Sequence, residues 1–133
     1  MDKKEFEKEI KKCFKNVNQK FFDQIETYKR FLQEKNEQFN LTNLSDEKIV
    51  DAKDFYESLI PYSEIDFSNC KNVLDIGSGS GIPGILLKLI HPHIKLQIIE
   101  ATGKKVEFMK QLVQKLGLDD VFISHQRAEE IKD

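Results

Sequence analysis

The sequence predicts an α/β fold: a helical region over 1–70, then three strands of a doubly wound parallel sheet over 71–133, in a single domain overall. Three observations carry this expectation. Residues 1–70 contain no glycine, whereas all 6 glycines fall in 71–133; glycine-free chain favours helix and glycine punctuates α/β turns. Apolar residues before position 70 recur at helical spacing, while those after it fall into short runs. The later runs alternate strand, helix, strand, helix, strand, the order of one half of a doubly wound sheet. Right-handed crossovers then give the spatial order 3-2-1.

In the first region, Phe6, Ile10, Cys13, Phe14 and Val17 form one amphipathic stripe. Phe21, Phe22, Ile25, Tyr28, Phe31 and Leu32 form a second, with Glu, Lys and Gln between them. Asn40-Leu41-Thr42-Asn43-Leu44 reads as a connector, and Ser45 as the N-cap of a further helix. A capping box would need Glu or Gln three residues on, but that residue is Lys48. Asp46 and Glu47 suit a first turn, and Pro61 ends this helix near Leu59 or Ile60.

In the second region, Asn72 to Ile76 is a short strand running into glycine, and Pro83 to Ile90 is a helix stopped by His91-Pro92. Lys95 to Glu100 is the second strand. The next helix follows Gly103, with Val106, Phe108, Met109, Leu112, Val113 and Leu116 on its apolar face and Gly117 as its C-cap. Val121 to Ser124 is the third strand, and a helix begins at Ala128 to Ile131.

Composition excludes several classes. The chain has 133 residues, 39% hydrophobic and 33% charged, which suits one domain with a packed core. It has no apolar run of about 18 residues, the length a membrane span needs. The charged start MDKKEFEKEIKK is not a secretory signal. Cys13 and Cys70 lie far apart without metal-ligand spacing, so reduced thiols in a cytoplasm are expected, with no metal site. A net charge of -2 argues against coating nucleic acid by bulk charge. Lys3, Lys4, Lys8, Lys11, Lys12 and Lys15 alternate with Asp2, Glu5, Glu7 and Glu9 and read as a solvated, salt-bridged helix face. His91, His93 and His125 have no acid at a telling spacing and read as turn or strand-end residues.

The chemistry lies in Val73-Leu74-Asp75-Ile76-Gly77-Ser78-Gly79-Ser80-Gly81-Ile82-Pro83-Gly84. A glycine-rich turn between a strand and a helix lets a ligand press on bare backbone, and the helix start offers unpaired N–H groups. Pro83 suits the first helical turn. Two ligand classes use such a turn. Gly79-x-Gly81-x-x-Gly84, with Glu100 21 residues after Gly79, fits a dinucleotide pattern. A cationic ligand, S-adenosylmethionine, instead wants an acid at the strand end, where Asp75 stands. A carboxylate there opposes a pyrophosphate by like-charge repulsion and tips the choice toward the sulfonium. The lesser alternative is that Asp75 merely caps the glycine turn. Glu100 stands where an acid takes ribose hydroxyls, and Arg127-Ala128-Glu129-Glu130 follows the third strand, near an expected adenine.

These residues resemble the bacterial 16S ribosomal RNA (guanine-N7) methyltransferase family, also called the glucose-inhibited division protein B family. The likeness runs from Asn40 to Glu130 and rests on Asn40-Leu41-Thr42, the run Leu74 to Ile85 with its Pro83-Gly84 pair, Gly103-Lys104-Lys105-Val106 with Phe108, and Arg127 to Glu130. It implies a class I methyltransferase (Rossmann-like) fold and S-adenosylmethionine as methyl donor. The implied substrate is a guanine N7 of 16S ribosomal RNA in the small ribosomal subunit. By the same resemblance, Asp75, Gly77, Gly79, Gly81 and Ile82 surround the methionine half. Glu100 takes the ribose, and Ala128 with Glu129 flanks the adenine.

The resemblance also has departures. Asp54 and Glu57 stand where the family has His and Asp, and Lys104-Lys105 replaces Lys-Arg; lysine lacks the planar guanidinium that grips phosphate in two places. Family members are longer, with a seven-stranded sheet. The chain is therefore expected to hold the N-terminal half of the methyltransferase domain, with the first strand open where a fourth would pair. Guanine N7 carries no proton, so in-line alignment suffices without a general base, and no catalytic residue is assigned. A monomer is expected. The competing readings are an NAD-dependent oxidoreductase, and a non-enzymatic RNA-binding or assembly module with a decayed cofactor site.

Overall fold

The computed structural model describes residues 1–39, 52–77 and 79–130. The expected connector at Asn40 to Leu44, the Ser45 cap, Ser78 and Ile131 lie outside the described residues. Helix α1 spans Lys3–Cys13, α2 Gln19–Phe39 and α3 Ala52–Leu59, followed by a 3₁₀ turn at Ile60–Tyr62. Strand β1 (Asn72–Ile76), α4 (Gly84–Ile90), β2 (Lys95–Glu100), α5 (Gly103–Leu116) and β3 (Val121–His125) follow, then a 3₁₀ turn at Ala128–Glu130.

The first stripe overshot its helix. Asp2 caps α1 by accepting the Glu5 N–H at 2.8 Å, and the chain leaves helical geometry at Phe14. Val17 lies in the turn, because the Asn18 side chain accepts the Phe21 N–H at 3.1 Å at the start of α2. Pro83 stands one position before α4 rather than inside its first turn, a shift within the usual play of helix ends. The final segment makes a single 3₁₀ turn over its described residues. Gly117 caps α5 in the left-handed conformation, as expected.

The sheet is parallel, in the order β1-β2-β3, which matches the expected 3-2-1 arrangement. The register pairs Val73 with Leu96 and Asp75 with Ile98, and Leu96 and Ile98 with Val121 and Ile123. Paired residues share a face, and this face packs on α4 and α5. Its residues Leu96 and Ile98 are fully buried. Helix α2 closes the other side of these helices: Phe31 stacks on Phe108 with centroids 5.3 Å apart. Phe6, Tyr28, Phe55, Leu86, Ile98 and Met109 belong to a single apolar cluster, so the helical region and the sheet share a core.

The opposite sheet face carries Leu74, Ile76 and Phe122, which are 52%, 52% and 48% exposed. Parallel sheets are ordinarily covered on both faces. Among the described residues β1 pairs with β2 alone, the open edge expected for the first strand. Among them, too, no helix is long and apolar enough to cross a membrane.

Candidate functional site

The loop between β1 and α4 rises at the carboxyl end of the sheet, where open α/β folds hold ligands. Backbone and side chains fix it at successive points. The Gly77 N–H donates to the Ile99 carbonyl at 2.7 Å, so the strand ladder continues into the first glycine. The Gly79 N–H donates to Glu100 Oε1 at 3.0 Å. The Ser80 carbonyl accepts from the Tyr28 hydroxyl at 2.6 Å. The Gly84 N–H, at the start of α4, donates to Asp75 Oδ2 at 2.9 Å.

Asp75 is half-buried on the helix-facing side of β1, which is why its carboxylate meets the first amide of α4. It therefore does cap the turn, the role weighed against ligand binding in the sequence. A Cβ at Gly84 would fall on that carboxylate, so only glycine lets the helix start so close to the strand.

Glu100 is buried, 5% exposed, and its Oε2 accepts the Thr102 N–H at 2.8 Å. One carboxylate thus ties the β1–α4 loop to the β2–α5 turn. Each carboxylate oxygen has two acceptor directions, so each oxygen can take a further donor such as a ribose hydroxyl. Both acids place negative charge on amides that a phosphate would otherwise use. This set of acceptors suits a ligand with hydroxyls and a positive centre.

Gly81 has φ +93°, and a Cβ there would come 2.6 Å from the Tyr28 hydroxyl and 2.7 Å from Ile85 Cδ1. Ile82 is half-buried beside it. The Lys105 stem lies over Gly79, its Cδ 3.6 Å from where a Cβ would be. Burial pushes the Tyr28 phenol well above its usual range, and the Asp75 charge pushes it further the same way. The structure thus brings Asp75, Gly77, Gly79, Gly81, Ile82 and Glu100 to one loop.

The Ala128–Glu130 turn follows β3 at the same end of the sheet, joined to β2 where the Gln126 N–H donates to the Glu100 carbonyl at 3.0 Å. Glu129 is exposed, its carboxylate 3.9 Å from the Arg127 guanidinium. His125 sits at the end of β3 with Nε2 3.0 Å from the Ala101 carbonyl. His91 closes α4, and His93 lies 2.8 Å from the Phe67 carbonyl in the following turn.

Sequence reasoning missed Tyr28 as part of this loop. It had placed the residue in an apolar stripe, where the phenol was the available signal: a buried tyrosine hydroxyl ordinarily finds a partner.

Comparison with known proteins places the chain beside a family model, curated relatives and a solved structure. The family model of rRNA small subunit methyltransferase G (GidB) matches residues 22–133. The protein named ribosomal RNA small subunit methyltransferase G in Malacoplasma penetrans is 51% identical over 111 residues, covering 82% of this chain and 47% of the relative. Its namesake in Ureaplasma parvum serovar 3 (strain ATCC 27815) is 42% identical over 135 residues, covering 98% and 57%. The chain spans about half the length of the curated relatives it matches. A solved structure described as StiE O-MT residues 961–1257 superposes with a TM-score of 0.53 at 26% identity, over 74% of this chain and 36% of that one.

Proposed function

Because the chain belongs to the rRNA small subunit methyltransferase G family, we propose that it carries the S-adenosylmethionine cradle of an enzyme that methylates guanine N7 in 16S ribosomal RNA. Residues 71–133 supply the cradle and 1–70 the helical region that packs on it. The reading includes a cytoplasmic monomer acting on the small ribosomal subunit, with no metal.

One observation supports the choice of cofactor above the others: carboxylates occupy the loop amides. Asp75 takes the Gly84 N–H and Glu100 takes the Gly79 N–H. A pyrophosphate seated here would lose those donors and meet two negative charges. Unit charges about 5 Å apart at an effective dielectric of about 20 repel by about 3 kcal/mol. A cationic sulfonium and ammonium reverse that sign.

S-adenosylmethionine supplies an electrophilic methyl group on positive sulfur. Asp75, Gly77, Gly79, Gly81 and Ile82 hold its methionine half. Glu100 accepts from the ribose, and Ala128 with Glu129 borders the adenine. Guanine N7 is a nucleophile without losing a proton, so these residues need only hold the two partners in line.

Calorimetric titration with S-adenosylhomocysteine and, separately, NADH tests the reading. Binding of the first and not the second is expected. Tight NADH binding without S-adenosylhomocysteine binding would overturn it in favour of an oxidoreductase. RNA binding with neither cofactor would favour an assembly module.

A further inference from the structure

We propose that Tyr28 is a positioning residue for the cofactor loop, its hydroxyl aiming the Gly81 amide at the acidic end of the ligand's amino-acid half. This inference rests on the S-adenosylmethionine reading above and goes beyond it by giving the N-terminal helices a part in ligand binding.

Tyr28 lies on α2, fully buried, with its ring centroid 5.0 Å from that of Phe55. Its hydroxyl donates to the Ser80 carbonyl at 2.6 Å across 52 residues of sequence. A peptide unit is planar and, when trans, points its C=O and N–H in opposite directions. The Ser80–Gly81 bond is trans, since the cis bond found is Ile82–Pro83. Drawing the Ser80 carbonyl inward onto Tyr28 therefore turns the Gly81 N–H outward, away from α2.

That orientation matters because other amides of the loop are committed to acids: Gly79 N–H to Glu100 and Gly84 N–H to Asp75. A ligand carboxylate needs an amide that neither acid holds, and the ammonium of the same amino-acid group offsets the two negative charges, as nothing in a pyrophosphate does. Gly81 follows Gly79 in the same loop, and its N–H is the one that Tyr28 orients. The close fit is reciprocal, because a side chain at Gly81 would collide with the Tyr28 hydroxyl. Burial and the Asp75 charge hold the phenol well above its usual range, so it remains a donor at neutral pH.

The test compares two ligands on the full chain. S-adenosylhomocysteine carries the amino-acid carboxylate; 5′-methylthioadenosine keeps the adenosine and sulfur but lacks it. Tyr28→Phe retains the ring and removes the hydroxyl. We expect S-adenosylhomocysteine affinity to fall roughly five- to tenfold, the effect of one net hydrogen bond, with 5′-methylthioadenosine affinity unchanged. A merely structural role would move both ligands alike. Phe108→Leu, a core change away from the loop, should lower the melting temperature without altering the ratio of the two affinities.

Equal loss of both ligands in Tyr28→Phe, or loss of neither, overturns the positioning role. A wild-type chain that binds neither ligand overturns the cofactor reading itself and the inference with it. If Tyr28→Phe does not fold, Tyr28→Met, whose adaptable side chain fills the space without a hydroxyl, is read by the same ratio.

Discussion

Replacing Glu100 by glutamine changes one charge and almost no volume, yet it should be costly. The carboxylate accepts two backbone amides, Gly79 at 3.0 Å and Thr102 at 2.8 Å, while 5% exposed. Glutamine keeps one acceptor oxygen and sets its NH₂ against the other N–H. The amide oxygen should keep Thr102, the shorter contact, and leave Gly79 facing a donor. Losing a hydrogen bond to a charged group costs about 1.5–3 kcal/mol, and the orphaned amide adds about 1 kcal/mol. The expected loss is therefore about 2.5–4 kcal/mol. With a urea slope of about 2 kcal/mol per molar, the unfolding midpoint should fall by about 1–2 M. S-adenosylhomocysteine affinity should fall at least tenfold, since the same oxygens are assigned to the ribose. A midpoint within about 0.3 M of wild type, which at that slope means the bridge contributes little, together with unchanged affinity would refute the reasoning.

Gly84→Ala should destabilise by about 2–3 kcal/mol, because its Cβ lands on the Asp75 carboxylate. Adding Asp75→Ala should recover part of that loss, and strict additivity in a double-mutant cycle would contradict the contact. Lys88 is buried, with its Nζ donating to the carbonyls of Pro92 at 2.7 Å and Ile94 at 2.5 Å. Lys88→Met strands both carbonyls and should cost about 2 kcal/mol in urea unfolding; a neutral result would mean that water replaces the ammonium. His91 stacks on Phe67 at 4.5 Å in a cleft it shares with Lys15, Asp66 and His93. Burial first, and His93 second, hold its pKa below the usual histidine value. The unfolded chain therefore binds the proton first as pH falls, so stability is full above about 6.5 and declines below it, through the depressed folded value. Urea midpoints at pH 7.5 and 5.5 should differ in wild type and converge in His91→Gln.

What the sequence revealed follows how local each determinant is. β1 and β2 are legible because Gly77 and His91-Pro92 bound them, and Gly117 marks the end of α5 by its left-handed turn. The end of α1 is not legible from apolar spacing, since Phe14 and Val17 continue the stripe beyond the helix. Phe14 is buried all the same: a residue can face the core from a turn as well as from a helix, and periodicity cannot separate the two. In the site, Asp75 and Glu100 are legible as strand-end acids, but not the amides they hold, because those contacts span 9 and 21 residues. Tyr28 reaches across 52 residues and is visible only once α2 lies beside the loop.

The same geometry ties the helical region to the chemistry. The side chain of Asn16 reaches the Ile90 carbonyl at 2.6 Å, and that of Gln24 the Leu116 carbonyl at 3.3 Å. These amides satisfy the C-terminal ends of α4 and α5, where helix carbonyls lack partners of their own. Tyr28 meets the loop that begins α4. The first region therefore holds α4 from both ends, through Asn16 at its close and Tyr28 at its start. A helix of 7 residues, Gly84–Ile90, is too short to be stable alone, so its position, and that of the glycine loop it anchors, depends on those outside contacts. Loosening α2 should consequently weaken ligand binding before it unfolds the sheet, a sequence of events that hydrogen exchange at Gly79 and Gly84, the loop amides held by Glu100 and Asp75, would detect as protection lost there first.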